Sequence, residues 1–243
     1  MSPQRITALV VRFTDFSETS RIVTLYSREM GKVRGLAKGG RRLKSNFESA
    51  LDLLTVCSIV LLRKPSRGLD LIIEARVAER FSVLSRKLEA LYAGYYLAEL
   101  LSDFTQEDDP HPVLFDAALE SLRLLGQQDS TTEIVIHFET QVLRELGFAP
   151  ILHECAACHR VLPIEGLQYD PQLGGIICPT CSHKARYARA ITPEAWLALQ
   201  QLEHLGPVMR LTPAIRQELR GLMNHAISHL LGKRPRTMQY LTG

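Results

Sequence analysis

No apolar run in this 243-residue sequence approaches the roughly 18 residues that a membrane-spanning helix requires. The opening Met1-Ser2-Pro3-Gln4-Arg5 shows neither the apolar stretch nor the cleavage site of a secretory leader. The expectation is a soluble cytoplasmic chain with reduced thiols and no membrane partner. Signatures of catalysis are equally scarce. The glycine pair at Gly39-Gly40 lacks Walker A spacing, no G-x-S-x-G nucleophile elbow occurs, and His225 and His229 lack the glutamate of an H-E-x-x-H metal site. A zinc deaminase would need H-x-E followed by P-C-x-x-C. His137-Phe138-Glu139 supplies the first half, inside a helical pattern with Phe138 on its apolar face, but neither later cysteine pair is preceded by proline. Net charge is also small, at +3, until it is divided. Residues 1–67 hold 13 Lys+Arg against 5 Asp+Glu, a net of +8, which leaves 16 against 21, a net of −5, for the remainder. A basic N-terminal region points to a polyanionic partner.

What is present is a pair of cysteine motifs. Cys155-Ala156-Ala157-Cys158 is followed after nineteen residues by Cys178-Pro179-Thr180-Cys181. Each C-x-x-C can turn two thiolates toward adjacent corners of a tetrahedron around one Zn2+, at about 2.3 Å from the metal. Two disulfides are disfavoured in a cytosolic chain, and a thioredoxin-type pair would sit in a βαβ unit that is missing here. The expectation is one structural zinc per chain on Cys155, Cys158, Cys178 and Cys181, in a small ribbon of short strands. Arg160, Lys184, Arg186 and Arg189 flank it and offset its negative charge, while His153, His159 and His183 read as solvated ribbon residues. The fifth cysteine, Cys57, lies in an apolar run and reads as a buried small hydrophobe.

Periodicity divides the rest. Ile6–Phe13, Arg21–Tyr26, Lys32–Ala37, Leu53–Leu62 and Leu69–Val77 are short β-rich runs separated by turn residues, which predicts a five-stranded OB-fold barrel. From Ser82 the period becomes helical. Leu84, Leu88, Leu91 and Tyr95 mark one face of a first helix reaching Phe104, widened by Leu97, Leu100 and Leu101. An acidic loop with Glu107, Asp108 and Asp109, expected to be solvated, precedes a second helix over about 113–126. Ser130 and Glu133 form a capping box for a third. Thr192-Pro193 and Thr212-Pro213 open two more helices, over about 193–205 and 213–231. The predicted class is therefore α+β and multidomain: an OB-fold over 1–80 and a helical domain over 81–243, with a zinc ribbon inserted at 150–190.

Within the barrel, Lys38-Gly39-Gly40-Arg41-Arg42-Leu43-Lys44-Ser45 follows a strand that already carries Lys32 and Arg34. Glycines allow close backbone approach to phosphate, so Lys32, Arg34, Lys38, Arg41, Arg42 and Lys44 are the candidate DNA-binding residues. Phe13, Phe16, Tyr26 and Phe47 are candidates for base stacking, with barrel core as the competing use. Lys233, Arg234 and Arg236 form a short basic tail, either a second phosphate contact or a solvated end.

Taken in order, the strand with Ala8-Leu9-Val10-Val11, Glu18-Thr19-Ser20-Arg21-Ile22-Val23-Thr24-Leu25, Gly31-Lys32-Val33, Lys38-Gly39-Gly40-Arg41-Arg42, Leu146-Gly147-Phe148-Ala149-Pro150 and both cysteine pairs resemble the bacterial RecO family of recombination mediators. The resemblance covers nearly the whole chain. It implies an OB-fold, a helical domain with an embedded zinc module, and binding to single- and double-stranded DNA. It also implies annealing of complementary strands and cooperation with RecR, single-strand binding protein and the RecA recombinase, with a requirement for RecF left open, and a nucleoid-associated location. One departure is Phe16-Ser17-Glu18, where an aromatic-glycine-glutamate triplet is usual in the family. The competing readings are a zinc-containing nucleic-acid enzyme, which four thiolates without an open position do not favour, and a zinc-ribbon transcription regulator.

Overall fold

The β-rich runs of the N-terminal third become five strands: β1 (Pro3–Asp15), β2 (Arg21–Ser27), β3 (Gly31–Ala37), β4 (Thr55–Leu62) and β5 (Asp70–Arg80). A computed structural model describes residues 3–40, 47, 50–63, 68–128, 131–206 and 209–241, the side chains of 203–205 apart. The strands close into a barrel in the order β1-β2-β3-β5-β4, with β4 returning to β1. Every pairing is antiparallel except Gly35–Ala37 of β3 with Asp70–Ile72 of β5. That topology is the OB-fold.

Alternation fills the barrel. Ile6, Ala8, Val10, Val23, Leu25, Val33, Cys57, Ile59, Leu61, Ile72 and Ala75 form its buried interior. Cys57 is the expected small hydrophobe: its thiol donates to the Ala50 carbonyl at 2.7 Å, and burial pushes its pKa up to about 12. One irregularity matters later. The β1–β2 register shifts between Val10 and Arg12, so Val10 opposes Leu25 but Arg12 opposes Thr24, and Val11 is the extra residue of a bulge.

Beyond the barrel, residues 82–86 make a 3-10 turn, and Lys87 then takes an extended conformation before α1 (Leu88–Phe104). This break resets the helical phase. The buried stripe is therefore Ala90, Ala93, Gly94, Leu97, Leu100 and Leu101, and Leu88, expected on the apolar face, is 65% exposed. Gly94 lets α1 approach closely, since a Cβ there would lie 2.8 Å from Leu54 Cδ1. The helix α2 (Pro112–Gln127) completes a first compact unit, Met1–Gln127, with Phe115 against Tyr26 at a ring separation of 6.3 Å.

The second compact unit, Gln128–Gly243, holds α3 (Thr131–Glu145), the short strands β6 (Gln168–Asp170), β7 (Gly175–Ile177) and β8 (Arg189–Ala190), then α4 (Pro193–Leu205) and α5 (Pro213–Leu231). The strands form a sheet in the order β7-β6-β8. Thr192 and Thr212 cap α4 and α5 as expected, accepting from Ala195 N and Ile215 N. Ser130 lies outside the described residues. Its expected partner Glu133 is turned elsewhere: the Oε1 atom accepts from Leu211 N at 3.3 Å and Arg216 at 2.8 Å, tying α3 to the start of α5. Among the described residues no helix is long and apolar enough to cross a membrane.

Candidate nucleic-acid interface and metal centre

Register decides which barrel residues share the outer surface. Because β2 pairs with both β1 and β3, Arg12, Thr24 and Arg34 form one row across three strands, and Thr14, Ile22 and Leu36 form the next. These positions alternate with the interior residues Phe13, Val23 and Val33, so both rows face outward. The preceding row, Leu9, Tyr26 and Lys32, also points outward, but Leu9 and Tyr26 are buried because α1 and α2 lie over that part of the sheet. The open part of the face thus starts at the Arg12/Arg34 row and runs toward Lys38 and the β1–β2 loop. Lys38 is exposed; Arg41, Arg42 and Lys44, which follow it, lie outside the described residues.

Arg12 escaped the sequence reading. Strict alternation along β1 would place it with Ile6, Ala8 and Val10 inside, and only the bulge turns it outward; Arg12 makes no ion pair among the described residues. At the loop tip Phe16 is 61% exposed, whereas Phe13 is half-buried with the Arg21 guanidinium stacked on it at 4.0 Å. Tyr26 and Phe47 are core. The turn that lacks the family's usual glycine is closed by Ser17, whose Oγ accepts from Ser20 N at 3.1 Å without a left-handed residue.

Lys32 is placed differently from the other candidates. Its Nζ donates to the carbonyls of Ser102, at 2.8 Å, and Thr105, the free acceptors at the end of α1. Burial pulls this ammonium below its usual pKa range, opposed by Glu107 and Asp103. The loop after α1 is not simply solvated either. Asp108 N bonds Lys32 O at 3.1 Å, Glu107 lies 3.8 Å from Arg34, and Asp108 accepts from Arg63 at 2.7 Å. Gly31 is required at this crossing, because its φ is +67° and a Cβ would sit 2.1 Å from the Asp109 carbonyl oxygen. Lys32→Ala is accordingly expected to lower stability by about 1–3 kcal/mol through the orphaned carbonyls, while leaving the salt dependence of any nucleic-acid binding unchanged. Denaturant unfolding and anisotropy titrations check the two halves; a flattened salt slope at unchanged stability would reassign Lys32 to phosphate.

In the second unit the four cysteines converge as their spacing predicted. The sulfurs of Cys155, Cys158, Cys178 and Cys181 all lie within 4.8 Å of one another, with Cys158 and Cys178 Sγ 3.9 Å apart. A tetrahedral ion bonded at about 2.3 Å sets its sulfurs about 3.8 Å apart, close to the 3.9 Å between Cys158 and Cys178 Sγ, so the group could hold a metal ion. Tight turns build it. His159 N donates to Cys155 O and Cys181 N to Cys178 O, His159 adopts φ of 58°, and Cys178 N points at Cys155 Sγ at 3.4 Å.

The thiols' own chemistry calls for a cation. The Thr180 hydroxyl, 3.0 Å away, holds Cys178 down at about 6, while the bond Cys181 makes to Cys158 pushes Cys181 up to about 12. Sulfurs this close cannot all ionise unless positive charge sits among them. His153, His159 and His183 are exposed and outside the cluster. Asp170, which sequence reasoning missed, organises the surrounding loops by accepting from Gln172 N, Leu173 N and Tyr187 N. From α4, Trp196 and Gln200 both donate to the Leu152 carbonyl and tether the module.

The remaining histidine motifs dissolve into packing. Glu139 is ion-paired with Arg220, and His137 Nδ1 lies 3.2 Å from Leu202 O, so H-x-E is not an assembled site. His225 meets the Tyr187 carbonyl and His229 stacks on the Tyr187 ring, each engaged separately.

An OB barrel with an outward row carrying Arg12 and Arg34, joined in one chain to a helical unit that carries a four-cysteine cluster able to hold a metal ion, defines a two-unit protein of the α+β class. Family models narrow the class: "Recombination protein O N terminal" matches residues 1–81 and "Recombination protein O C terminal" matches 85–239. The chain belongs to the RecO family of DNA repair and recombination proteins. Similar proteins include the DNA repair protein RecO of Rhodopirellula baltica, 36% identical over 96% of this chain and 97% of that one. Those of Roseiflexus sp. (30%, 98% and 84%) and Anaeromyxobacter sp. (31%, 98% and 94%) are similar over comparable lengths.

Proposed function

We propose that this protein is a non-enzymatic recombination mediator: it binds single- and double-stranded DNA through the open face of its barrel and anneals complementary strands. It also assists loading of recombinase onto strands coated by single-strand binding protein, with RecR and, in some reactions, RecF and RecA as partners. The observation that carries this reading is the Arg12–Thr24–Arg34 row, continued by Lys38 and by Arg41, Arg42 and Lys44 in sequence. Guanidinium and ammonium groups along strands contact phosphates at intervals and leave base edges free to pair, and the exposed Phe16 ring is available for stacking. The Glu107–Arg34 pair does not oppose this. Both side chains are about half exposed, at 51% and 56%, and such a pair contributes about 0–1 kcal/mol, which a strand of phosphates displaces. The ion held by Cys155, Cys158, Cys178 and Cys181 is Zn2+ in this reading, one per chain, with a structural role, since four thiolates leave no position for water.

Replacing Arg12, Arg34 and Lys38 together by alanine tests it. Each lost phosphate contact on single strands flattens the log–log salt slope by about 0.7, so three flatten it by about 2 and lower affinity on the order of 100-fold at 0.1 M salt, on all sequences alike. Annealing of bare complementary oligonucleotides without nucleotide triphosphate should slow in parallel. Wild-type affinity and slope in the triple variant would refute the barrel face as the site, and a loss confined to one sequence would favour the transcription-regulator reading.

A further inference from the structure

After Glu218 the sequence carries no acidic residue to its end, whereas Arg220, Lys233, Arg234 and Arg236 are all basic. The chain leaves α5 at Gly232, left-handed with φ of 67°, and turns through Lys233–Arg236 into a short 3-10 segment, Thr237–Tyr240. This turn is anchored rather than loose. Pro235 and Met238 are buried, the Ser228 hydroxyl lies 3.9 Å from the Met238 sulfur, and Leu241 N bonds Met238 O. Held in this way, it borders a shallow hollow open to solvent, of about 460 Å³, lined by Arg234, Pro235, Arg236, Thr237, Gln239 and Tyr240. Arg234 and Arg236 are exposed, and Tyr240 presents a ring that is 47% exposed.

We propose that the C-terminal turn, residues 233–240, is a second binding site for single-stranded nucleic acid, lying in the second compact unit and independent of the barrel face. The hollow is open to solvent and leaves room of about 460 Å³, enough for one nucleotide to lie on it. Two exposed guanidiniums bring positive charge to adjacent phosphates, Tyr240 offers a half-exposed ring for a base, and Gln239 supplies a neutral donor and acceptor, with no acidic side chain in residues 233–240. An acidic peptide would use the cations but not the ring beside them, which is why a nucleotide is the better match. With two sites, one chain could hold two strands at once, in addition to the contact that the barrel face supplies to one.

The test uses the full-length protein and an oligothymidylate carrying 5-iodouracil, irradiated at subsaturating protein and mapped by mass spectrometry. A crosslink at Tyr240 is expected, retained in Tyr240→Phe and reduced on the order of tenfold in Arg234→Ala/Arg236→Ala. The same Tyr240 crosslink should persist in the Arg12→Ala/Arg34→Ala/Lys38→Ala protein. Crosslinks confined to the barrel would overturn this second site while leaving the proposed function intact; crosslinks confined to Tyr240 would do the reverse. If instead a glutamate-rich peptide binds, loses binding in Arg234→Ala/Arg236→Ala, and no nucleotide crosslink forms there, the turn is a peptide site and the proposal is wrong.

Discussion

Cys178→Ser is expected to abolish metal binding and to unfold the segment from 150 to 190. The strands of that segment are three, three and two residues long, too short to hold a sheet without further support. Its apolar core amounts to residues such as Leu152, Leu162, Leu167, Tyr169, Ile176 and Ile177. With zinc on the four cysteines, as proposed above, metal binding would contribute most of its local stability, and in zinc-finger peptides such binding is worth about 10–16 kcal/mol. Whole domains are stable by only about 5–15 kcal/mol, so losing even part of that contribution exceeds the margin. Serine is nearly isosteric but does not ionise, and it leaves three crowded thiols around a weaker ligand set. Elemental analysis should fall from about one zinc per chain to near zero, and limited proteolysis should cut between 150 and 190 where the parent protein resists. Full metal content with unchanged proteolysis would show that the four cysteines are not the ligands.

Arg220→Met should be the most damaging substitution away from the metal. Glu139 on α3 is fully buried and Arg220 on α5 is 4% exposed; they form a bidentate pair at 2.9 and 2.5 Å, and Asn224 Oδ1 accepts from the same guanidinium at 2.7 Å. Removing the arginine strands a carboxylate in the core between α3 and α5, at about 3–5 kcal/mol. In a unit of this size that lowers the melting temperature on the order of 15 °C. The double variant Glu139→Leu/Arg220→Met should regain most of the loss, because an apolar pair of similar volume needs no compensation. A double variant no better than Arg220→Met would mean that the network, not the stranded charge, sets the cost.

Much of this was legible from local pattern. Strands announced by β-branched alternation, helices opened by Thr-Pro, and cysteines spaced for a tetrahedron depend on neighbours in sequence, and each formed where expected. What stayed hidden depends on residues far apart. Nothing near Lys32 shows that its ammonium ends against Ser102 and Thr105, seventy and seventy-three positions on. Glu133 has the position of a capping-box glutamate, yet Leu211 and Arg216, remote in sequence, claim it. The phase of α1 was misread because the periodic pattern ran straight through Lys87, whose extended backbone separates the 3-10 turn from the helix.

The bulge at Val11 shows that the sidedness of the barrel is a matter of counting rather than of composition. With Val11 present, Ile6, Ala8 and Val10 stay inside while Arg12 and Thr14 face out and Phe13 takes the interior position. Deleting Val11 would restore even alternation and leave Arg12 outside, whereas a β1 that kept Val11 in regular pairing, without the bulge, would turn the Arg12 guanidinium toward the apolar interior. The bulge, rather than the side chain at position 12, thus decides which face that residue takes.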